Sequence, residues 1–93
     1  HDIIIIVMDI NKLISIIKKK ITTNIVCESL KVEDKSFLHK KHQGNDNNKF
    51  HIKLSIVSKE LKMMSKIDSN KKIYKILNEE ITNSIHSLQI LIQ

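Results

Sequence analysis

Between Phe50 and Val57, apolar side chains occupy every second position, so that Ile52, Leu54 and Ile56 share one face. Polar side chains fill the alternate positions, which are His51, Lys53 and Ser55. A period of two is typical of a half-buried β-strand. The segment therefore predicts one strand of a sheet whose apolar face packs against a hydrophobic core.

The length of the chain limits what this strand can belong to. The chain has 93 residues and a mass of 10.8 kDa. Domains usually take about 100–200 residues each, so this length predicts one small domain. A domain of this size buries only about 60–65% of the surface that its unfolded chain exposes. These limits exclude barrels, doubly wound nucleotide-binding folds and multi-domain enzymes, and they favour a binding module.

Two segments with clear periodicity precede this strand. Apolar residues at three- and four-residue spacing predict a helix over residues 8–23, and they are Ile10, Leu13, Ile14, Ile17 and Ile21. Alternation from Leu30 to Phe37 predicts a strand, and the polar stretch from Leu38 to Lys49 predicts a loop. The two strands and their loop are therefore expected to form a long-armed hairpin.

Helical patterns return after the hairpin. Ser58 to Ser65 is interpreted as a short helical turn. Asp68 and Ser69 are residue types that favour helix N-caps, so a second long helix is predicted to begin there. The period of a strand resumes at Leu88, Ile90 and Ile92.

The order of these elements predicts the fold class. The order α-β-β-α-α-β indicates an α+β fold, a three-stranded sheet with helices packed on one face. If the last strand lies beside the second, these two run parallel and the sheet is mixed. A single domain is expected over residues 8–93. Residues 1–7 are interpreted as an N-terminal extension or as the remnant of a longer chain.

The charge gives a weaker indication of partners. The formal net charge is +6 at pH 7, from 16 lysines and no arginine. This charge suits a nucleic acid or an acidic surface, but the lysines are spread along the whole chain, which favours a solvated surface. Without guanidinium groups, bidentate readout of guanine edges is disfavoured. The longest apolar run, Ile3 to Met8, is far shorter than the ~20 residues of a membrane-spanning helix, so no membrane partner is expected.

One basic segment is better placed to contact an anion. Ser69, Asn70, Lys71 and Lys72 are predicted to open the second long helix. Backbone N–H groups at a helix start attract phosphate, so Asn70, Lys71 and Lys72 are weak candidates for nucleic-acid or anion contact. A solvated first turn is the alternative interpretation and the favoured one.

Histidines are the main candidates for chemistry. His39 and His42 lie in the predicted hairpin loop, and His86 lies where the second long helix gives way to the last strand. Imidazole is the commonest neutral metal ligand. The alternative for His86 is a structural role, because histidine is also favoured at the C-terminus of a helix. The single cysteine, Cys27, excludes an internal disulfide and an all-thiolate metal site, and it is interpreted as a structural thiol. No nucleophile and base pair can be assembled, so the chain is not expected to be an enzyme.

Six short segments occur in a characteristic order, namely Phe37-Leu38-His39, His51-Ile52-Lys53-Leu54, Val57-Ser58, Ile73-Tyr74, Leu77-Asn78-Glu79-Glu80-Ile81 and Ile85-His86-Ser87-Leu88. Together they resemble the BolA family over residues 8–92, without gaps from His51 to Leu88. The resemblance implies an α-β-β-α-α-β domain similar to a type II KH fold. It also implies partnership with monothiol glutaredoxins in iron-sulfur cluster handling and, in some bacterial members, DNA binding.

The resemblance also implies a set of ligands. A 2Fe-2S cluster would be shared with a glutaredoxin cysteine and glutathione, and it would be held by His86 and by His39, with His42 as a substitute for His39. The isolated chain is expected to be a monomer without a cofactor, in the cytoplasm or a mitochondrion. The expected role is cluster assembly, trafficking or iron sensing, and the alternative is a KH-like, DNA-binding transcriptional regulator.

The sequence departs from the family pattern at the start of the second long helix. Ser69-Asn70-Lys71 stands where the family has Arg-His-Arg, which argues against specific DNA readout. Lys71 and Lys72 would still permit salt-sensitive contact with phosphates. The hairpin loop is also about three residues longer than is usual in the family.

Overall fold

The computed structural model describes residues 9–36 and 49–93. Within these ranges the elements follow in the order α1 (Ile10–Asn24), β1 (Ser29–Asp34), β2 (Phe50–Val57), α2 (Lys59–Lys62), α3 (Lys66–Ile76), α4 (Asn78–Asn83) and β3 (Ile85–Ile92). None of the described helices is long and apolar enough to cross a membrane. The predicted N-terminal extension, residues 1–7, and residues 38–48 of the predicted loop lie outside the described residues.

The three described strands form one sheet in the order β1-β2-β3. β1 and β2 are antiparallel, with Val32 opposite Leu54. β2 and β3 are parallel, with Leu54 opposite Ile90. The prediction of a mixed sheet is therefore confirmed, and β2 is its central strand.

The hydrophobic core lies on one face of this sheet. The buried side chains of β2 are those that the period of two predicts, Ile52, Leu54 and Ile56. They join one cluster with helical residues that include Leu13, Ile17, Ile21 and Ile73. Burying each such side chain contributes about 1.5–3 kcal/mol. The α+β class, with helices on one face of the sheet, is confirmed.

Helix α1 lies close to its predicted position. The Asp9 carboxylate accepts the Lys12 backbone N–H at 2.8 Å, which satisfies one of the free donors at the helix start. The helix ends at Asn24, because Ile25 is extended while its N–H still donates to the Ile21 carbonyl at 2.8 Å. The observed span is Ile10–Asn24, against the predicted 8–23.

The predicted start of the second long helix is wrong. Helix α3 begins at Lys66, and its N-cap is Ser65, whose Oγ accepts the Asp68 backbone N–H at 3.0 Å. Asp68 is therefore a first-turn residue. Ser69 is buried, and its hydroxyl donates to the Lys66 carbonyl at 3.0 Å.

The second long helix is also divided in two. Leu77 leaves the helical conformation, with φ −99° and ψ 17°, while its N–H donates to the Ile73 carbonyl at 3.0 Å. Helix α4 then follows over six residues, and no side chain caps its N-terminus. Leu77 is fully buried in the core at this break.

Two strand boundaries differ from those predicted. β1 ends at Asp34, whose carboxylate accepts the Ser36 N–H at 2.9 Å, and Phe37, the predicted end, lies outside the described residues. β3 begins at Ile85 instead of Leu88, because pairing with β2 already starts at Phe50. His86 is therefore a strand residue.

Candidate functional site

A register shift at the start of β3 determines where His86 lies. Phe50 is paired with Ile85, but the next residue of β2, His51, is paired with Ser87. His86 is thus one residue extra on β3, which is the definition of a β-bulge. The Phe50 N–H donates to the Ser84 carbonyl at 2.9 Å and fixes the chain just before the bulge. Bulges bend a strand and re-aim a side chain.

The bulge brings two imidazole rings together. The ring centroids of His51 and His86 lie 4.9 Å apart, and the rings meet edge to face at an interplanar angle of 70°. The Nδ1 atom of His51 lies 2.6 Å from the Ser87 hydroxyl, which orients this ring. His86 is exposed and His51 is half-buried. The sequence pattern predicts His51 only as a strand residue, and nothing in that pattern indicates this pairing.

The end of β1 leads directly to this pair of histidines. The Lys35 N–H donates to the His51 carbonyl at 2.7 Å, and the His51 N–H donates to the Ser36 hydroxyl at 3.1 Å. His39 and His42, the predicted loop ligands, lie outside the described residues. The chain therefore leaves β1 toward the predicted loop at a point that is hydrogen-bonded to His51.

The donor set limits what the described residues can bind alone. Imidazole nitrogens are good ligands for iron and zinc. In the ranges 9–36 and 49–93, no group of three or more His, Cys, Asp or Glu side chains could hold a metal ion. The histidine pair fits a cluster or ion only as part of a ligand set, and the remaining ligands have to come from elsewhere.

Cys27 fits a structural role. It lies half-buried between α1 and β1, where its thiol donates to the Ile25 carbonyl at 3.7 Å. Burial is the largest cause that raises the pKa of this thiol, and the carboxylates of Glu28 and Glu60 raise it further. A raised pKa lowers the thiolate fraction, and the thiolate is the nucleophile and the metal ligand.

The predicted anion site at the helix start is not formed as expected. Because α3 begins at Lys66, residues Asn70, Lys71 and Lys72 lie beyond its first turn. The backbone N–H groups of these residues are therefore not those of a helix start. Lys72 donates to the Glu60 carboxylate at 2.5 Å, whereas Lys71 is exposed. Nucleic-acid contact by these three residues stays a prediction.

A partly buried ion pair holds the segment that precedes the bulge. Glu80 of α4 is 5% exposed, and its Oε2 atom lies 2.6 Å from Lys20 Nζ of α1. The hydrogen bond to Glu80 is the largest cause that raises the pKa of Lys20. The Ser84 N–H donates to the Glu80 carbonyl at 2.8 Å, two residues before His86. Adjacent Glu79 is exposed, so these two carboxylates diverge.

Comparison with known proteins supports the expected family. A family model described as BolA-like protein matches residues 21–93. A protein of Haemophilus influenzae described as DNA-binding transcriptional regulator BolA is 36% identical over 75 residues. The match covers 81% of this chain and 70% of that protein.

Solved structures show the same fold. The BolA domain of SufE1 from Arabidopsis thaliana has a TM-score of 0.72 and 27% identity, and the match covers 92% of this chain and 93% of that one. BolA1 from Arabidopsis thaliana has a TM-score of 0.71 and 26% identity, with coverage of 85% and 87%. The family expected from the short segments is thus confirmed, and the chain belongs to the BolA family.

Proposed function

We propose that the chain is an adaptor that partners a monothiol glutaredoxin and shares a 2Fe-2S cluster with it through His86 and a histidine of the loop. The observation that carries this proposal is the edge-to-face pair of His51 and His86 at the bulge of β3. The role is cluster assembly, trafficking or iron sensing, and not catalysis.

The exposure of His86 supports a shared site. A ligand for a cluster that is held between two proteins has to reach the surface, and His86 lies there. Histidine replaces cysteine on one iron of Rieske clusters, where it raises the reduction potential. A histidine ligand has to be neutral to bind a metal, so metal binding through histidines depends on pH.

Chain reach supports a ligand from the loop. His39 follows Ser36 by three residues, and a chain of that length spans at most about 11 Å. Because the Ser36 hydroxyl accepts the His51 N–H, the last described residue before the loop lies beside the histidine pair. His42 is farther along and is the proposed substitute. His51 then serves to position the His86 ring.

The remaining ligands come from outside the chain. One thiol cannot hold a 2Fe-2S cluster, and the pKa of Cys27 is raised, which disfavours its thiolate. A glutaredoxin cysteine and glutathione supply the missing thiolates in this proposal. Such a cluster forms in a heterodimer in the cytoplasm or a mitochondrion, where glutathione is reduced, and the isolated chain is a monomer without it.

Reconstitution tests the proposal. The chain is mixed with a monothiol glutaredoxin, iron, sulfide and glutathione, and visible absorption and native mass are recorded. A coloured heterodimer is expected, as is its loss with His86→Ala. His39→Ala and His42→Ala separate the two loop candidates, and Gln89→Ala, at an exposed position of β3, is the matched control. A heterodimer that retains its colour with His86→Ala would contradict the ligand assignment.

A second candidate function is nucleic-acid binding. It is favoured by the Haemophilus influenzae relative, which is described as DNA-binding. Helix α3 exposes Lys71, Tyr74 and Lys75 beyond its first turn. If Lys71 contacts a phosphate, Lys71→Ala reduces the salt dependence of binding by about one unit of slope. Lys19→Ala, at an exposed position of α1, is the control. An equal effect of both variants would mean that the binding is non-specific electrostatic attraction.

A further inference from the structure

The two edges of the sheet differ in charge. In the described sheet, β1 and β3 are the edge strands. The β1 edge carries three charged residues, Lys31, Glu33 and Asp34, and Lys35 follows the strand directly. From Ile85 to Gln93 the chain has no Asp, Glu, Lys or Arg. Charged side chains commonly protect an edge strand against pairing with a strand of another molecule. β3 lacks this protection.

The backbone of β3 has hydrogen-bonding groups that point away from the sheet. Gln93 uses both of its groups on the β2 side, because its N–H donates to the Ile56 carbonyl at 2.7 Å and its carbonyl accepts the Ser58 N–H at 3.1 Å. In a parallel pair, the side to which a residue points alternates along the strand. Ile90 and Ile92 therefore direct their N–H and carbonyl groups to the opposite side, where no described strand lies.

An apolar groove runs beside this edge. The inward side chains of β2 are buried, whereas those of β3 at Leu88, Ile90 and Ile92 are only half-buried. A groove of about 350 Å³ lies between the C-terminal half of β3 and helices α2 and α3. Its walls include Leu61 and Met64. The helices thus leave the outer strand incompletely covered.

The two charged side chains that line the groove are both positive. Lys62 and Lys66 both line it, and both are exposed. No acidic side chain of the described residues lines it, and its polar groups are those of Ser69 and Asn70. The nearest acidic residue along α3 is Asp68, an exposed residue outside this lining.

We propose that the β3 edge binds an extended, acidic segment of a partner protein as a fourth strand. Main-chain bonds of the segment pair with Ile90 and Ile92, and alternate apolar side chains enter the groove. Its carboxylates meet Lys62 and Lys66. This surface lies at the far end of β3 from His86, and it does not depend on the proposed cluster site.

Other occupants fit these observations less well. A second copy of the chain would offer a β3 edge without an acidic residue to meet the two lysines. A single-stranded nucleic acid has no backbone N–H and carbonyl pattern that matches a strand edge. None of the described side chains that line the groove is aromatic, so bases have nothing to stack on there. An acidic peptide satisfies the backbone, the groove and the charges together.

Binding of defined peptides to the full chain tests the proposal. The probe is an eight-residue capped peptide in which glutamate alternates with isoleucine or valine. One comparison peptide has lysine for glutamate, and a second is N-methylated on the amides that would face β3. Amide NMR shifts and hydrogen exchange of the chain are expected to change at Leu88–Ile92. Loss of two hydrogen bonds predicts binding weaker by about tenfold to a hundredfold for the methylated peptide.

Variants test the charges and the edge separately. Lys62→Glu with Lys66→Glu is expected to weaken binding of the acidic peptide at least tenfold. Lys18→Glu with Lys19→Glu, at exposed positions of α1, is the matched control. Leu91→Lys adds a charge to the β3 edge at a position that is 41% exposed, and it is also expected to weaken binding of the acidic peptide. Equal binding of the methylated peptide, preference for the lysine peptide, displacement by an oligothymidine, or self-association through β3 would each overturn the proposal.

Discussion

His51 and His86 contact each other edge to face across a shift in strand register, although one belongs to the hairpin and the other follows α4. The shift removes His86 from the alternation of β3. It places the exposed ring beside the half-buried one, whose Nδ1 atom is bound to Ser87. The contact therefore depends on the bulge and on the Ser87 hydroxyl, and each can be altered separately.

Ser87→Ala is expected to release the His51 ring without unfolding the domain. The hydrogen bond lies at an exposed site, so its loss should cost about 1 kcal/mol or less. Long-range ¹H–¹⁵N spectra of the imidazoles report the tautomer of His51, which should change in the variant. Ser55→Ala, at a half-buried serine of β2 away from His51, should leave the His51 spectrum unchanged. An unchanged His51 tautomer in Ser87→Ala would show that the hydroxyl does not orient the ring.

Lys20→Met is expected to destabilise the domain by about 1–3 kcal/mol. Glu80 is buried, and its Oε1 atom has no hydrogen-bond partner among the described residues, so removing Lys20 leaves a buried carboxylate uncompensated. The side chain of Lys20 is 34% exposed, which places the loss below that of a fully buried pair. Urea unfolding measures the change. Lys19→Met is the control.

Removing both charges completes this test. Lys20→Met with Glu80→Leu leaves no uncompensated charge, so the double variant should recover at least half of the lost stability. A double variant whose loss equals the sum of the two single losses would mean that the ion pair contributes no coupling.

Stability is expected to fall in acid partly through Glu60. The hydrogen bond from Lys72 is the main cause that holds the pKa of Glu60 below its ordinary value of 4.5, and the Val26 N–H adds to it. The folded state thus binds this proton at lower pH than the unfolded state does. The stabilisation is present above the ordinary pKa and is lost as the pH falls through the folded pKa.

Glu60→Gln isolates this contribution. The difference in unfolding free energy between the original chain and Glu60→Gln should be constant above about pH 5.5 and should shrink below pH 4.5. Urea unfolding between pH 3 and 7, in steps of about half a unit, measures it. Glu79→Gln, at an exposed site on α4, is the comparison. A difference that grows as the pH falls would give the opposite sign and refute the assignment.

Ser65→Ala is expected to destabilise the domain by about 1 kcal/mol, because it removes the N-cap of α3. Asp68→Asn should cost less, since Asp68 contributes only a favourable first-turn charge. Thermal unfolding of both variants gives the order. A larger loss of stability for Asp68→Asn would indicate that the helix begins at Asp68, as the sequence predicted.

The central strand and the core were predictable because their determinants are local in sequence. The period of two at Ile52, Leu54 and Ile56 defines β2 regardless of its partners. The start of α3 was misplaced because Ser65, Asp68 and Ser69 are all good capping residues. Only packing decides among them, and it buries Ser69 within the first turn.

The site was less predictable, because its geometry arises between distant segments. The division between α3 and α4 has no Gly or Pro to mark it, and the residue at the break, Leu77, is a buried apolar residue like those inside the helices. The contact of His51 with His86 depends on the register of a parallel pair, and a shift of one residue is not visible in either strand alone. The resemblance identified His86 but gave no reason for its exposure, which the bulge supplies.

The unequal edges of the sheet also limit how far it can grow. A strand added at β3 meets an edge without Asp, Glu, Lys or Arg side chains. A strand added at β1 would have to pack beside Lys31, Glu33 and Lys35. Polymerisation through the sheet requires two compatible edges on every unit, and the described sheet has one edge strand without charged side chains. We therefore expect assemblies made through this sheet to be finite, with one-to-one stoichiometry instead of filaments.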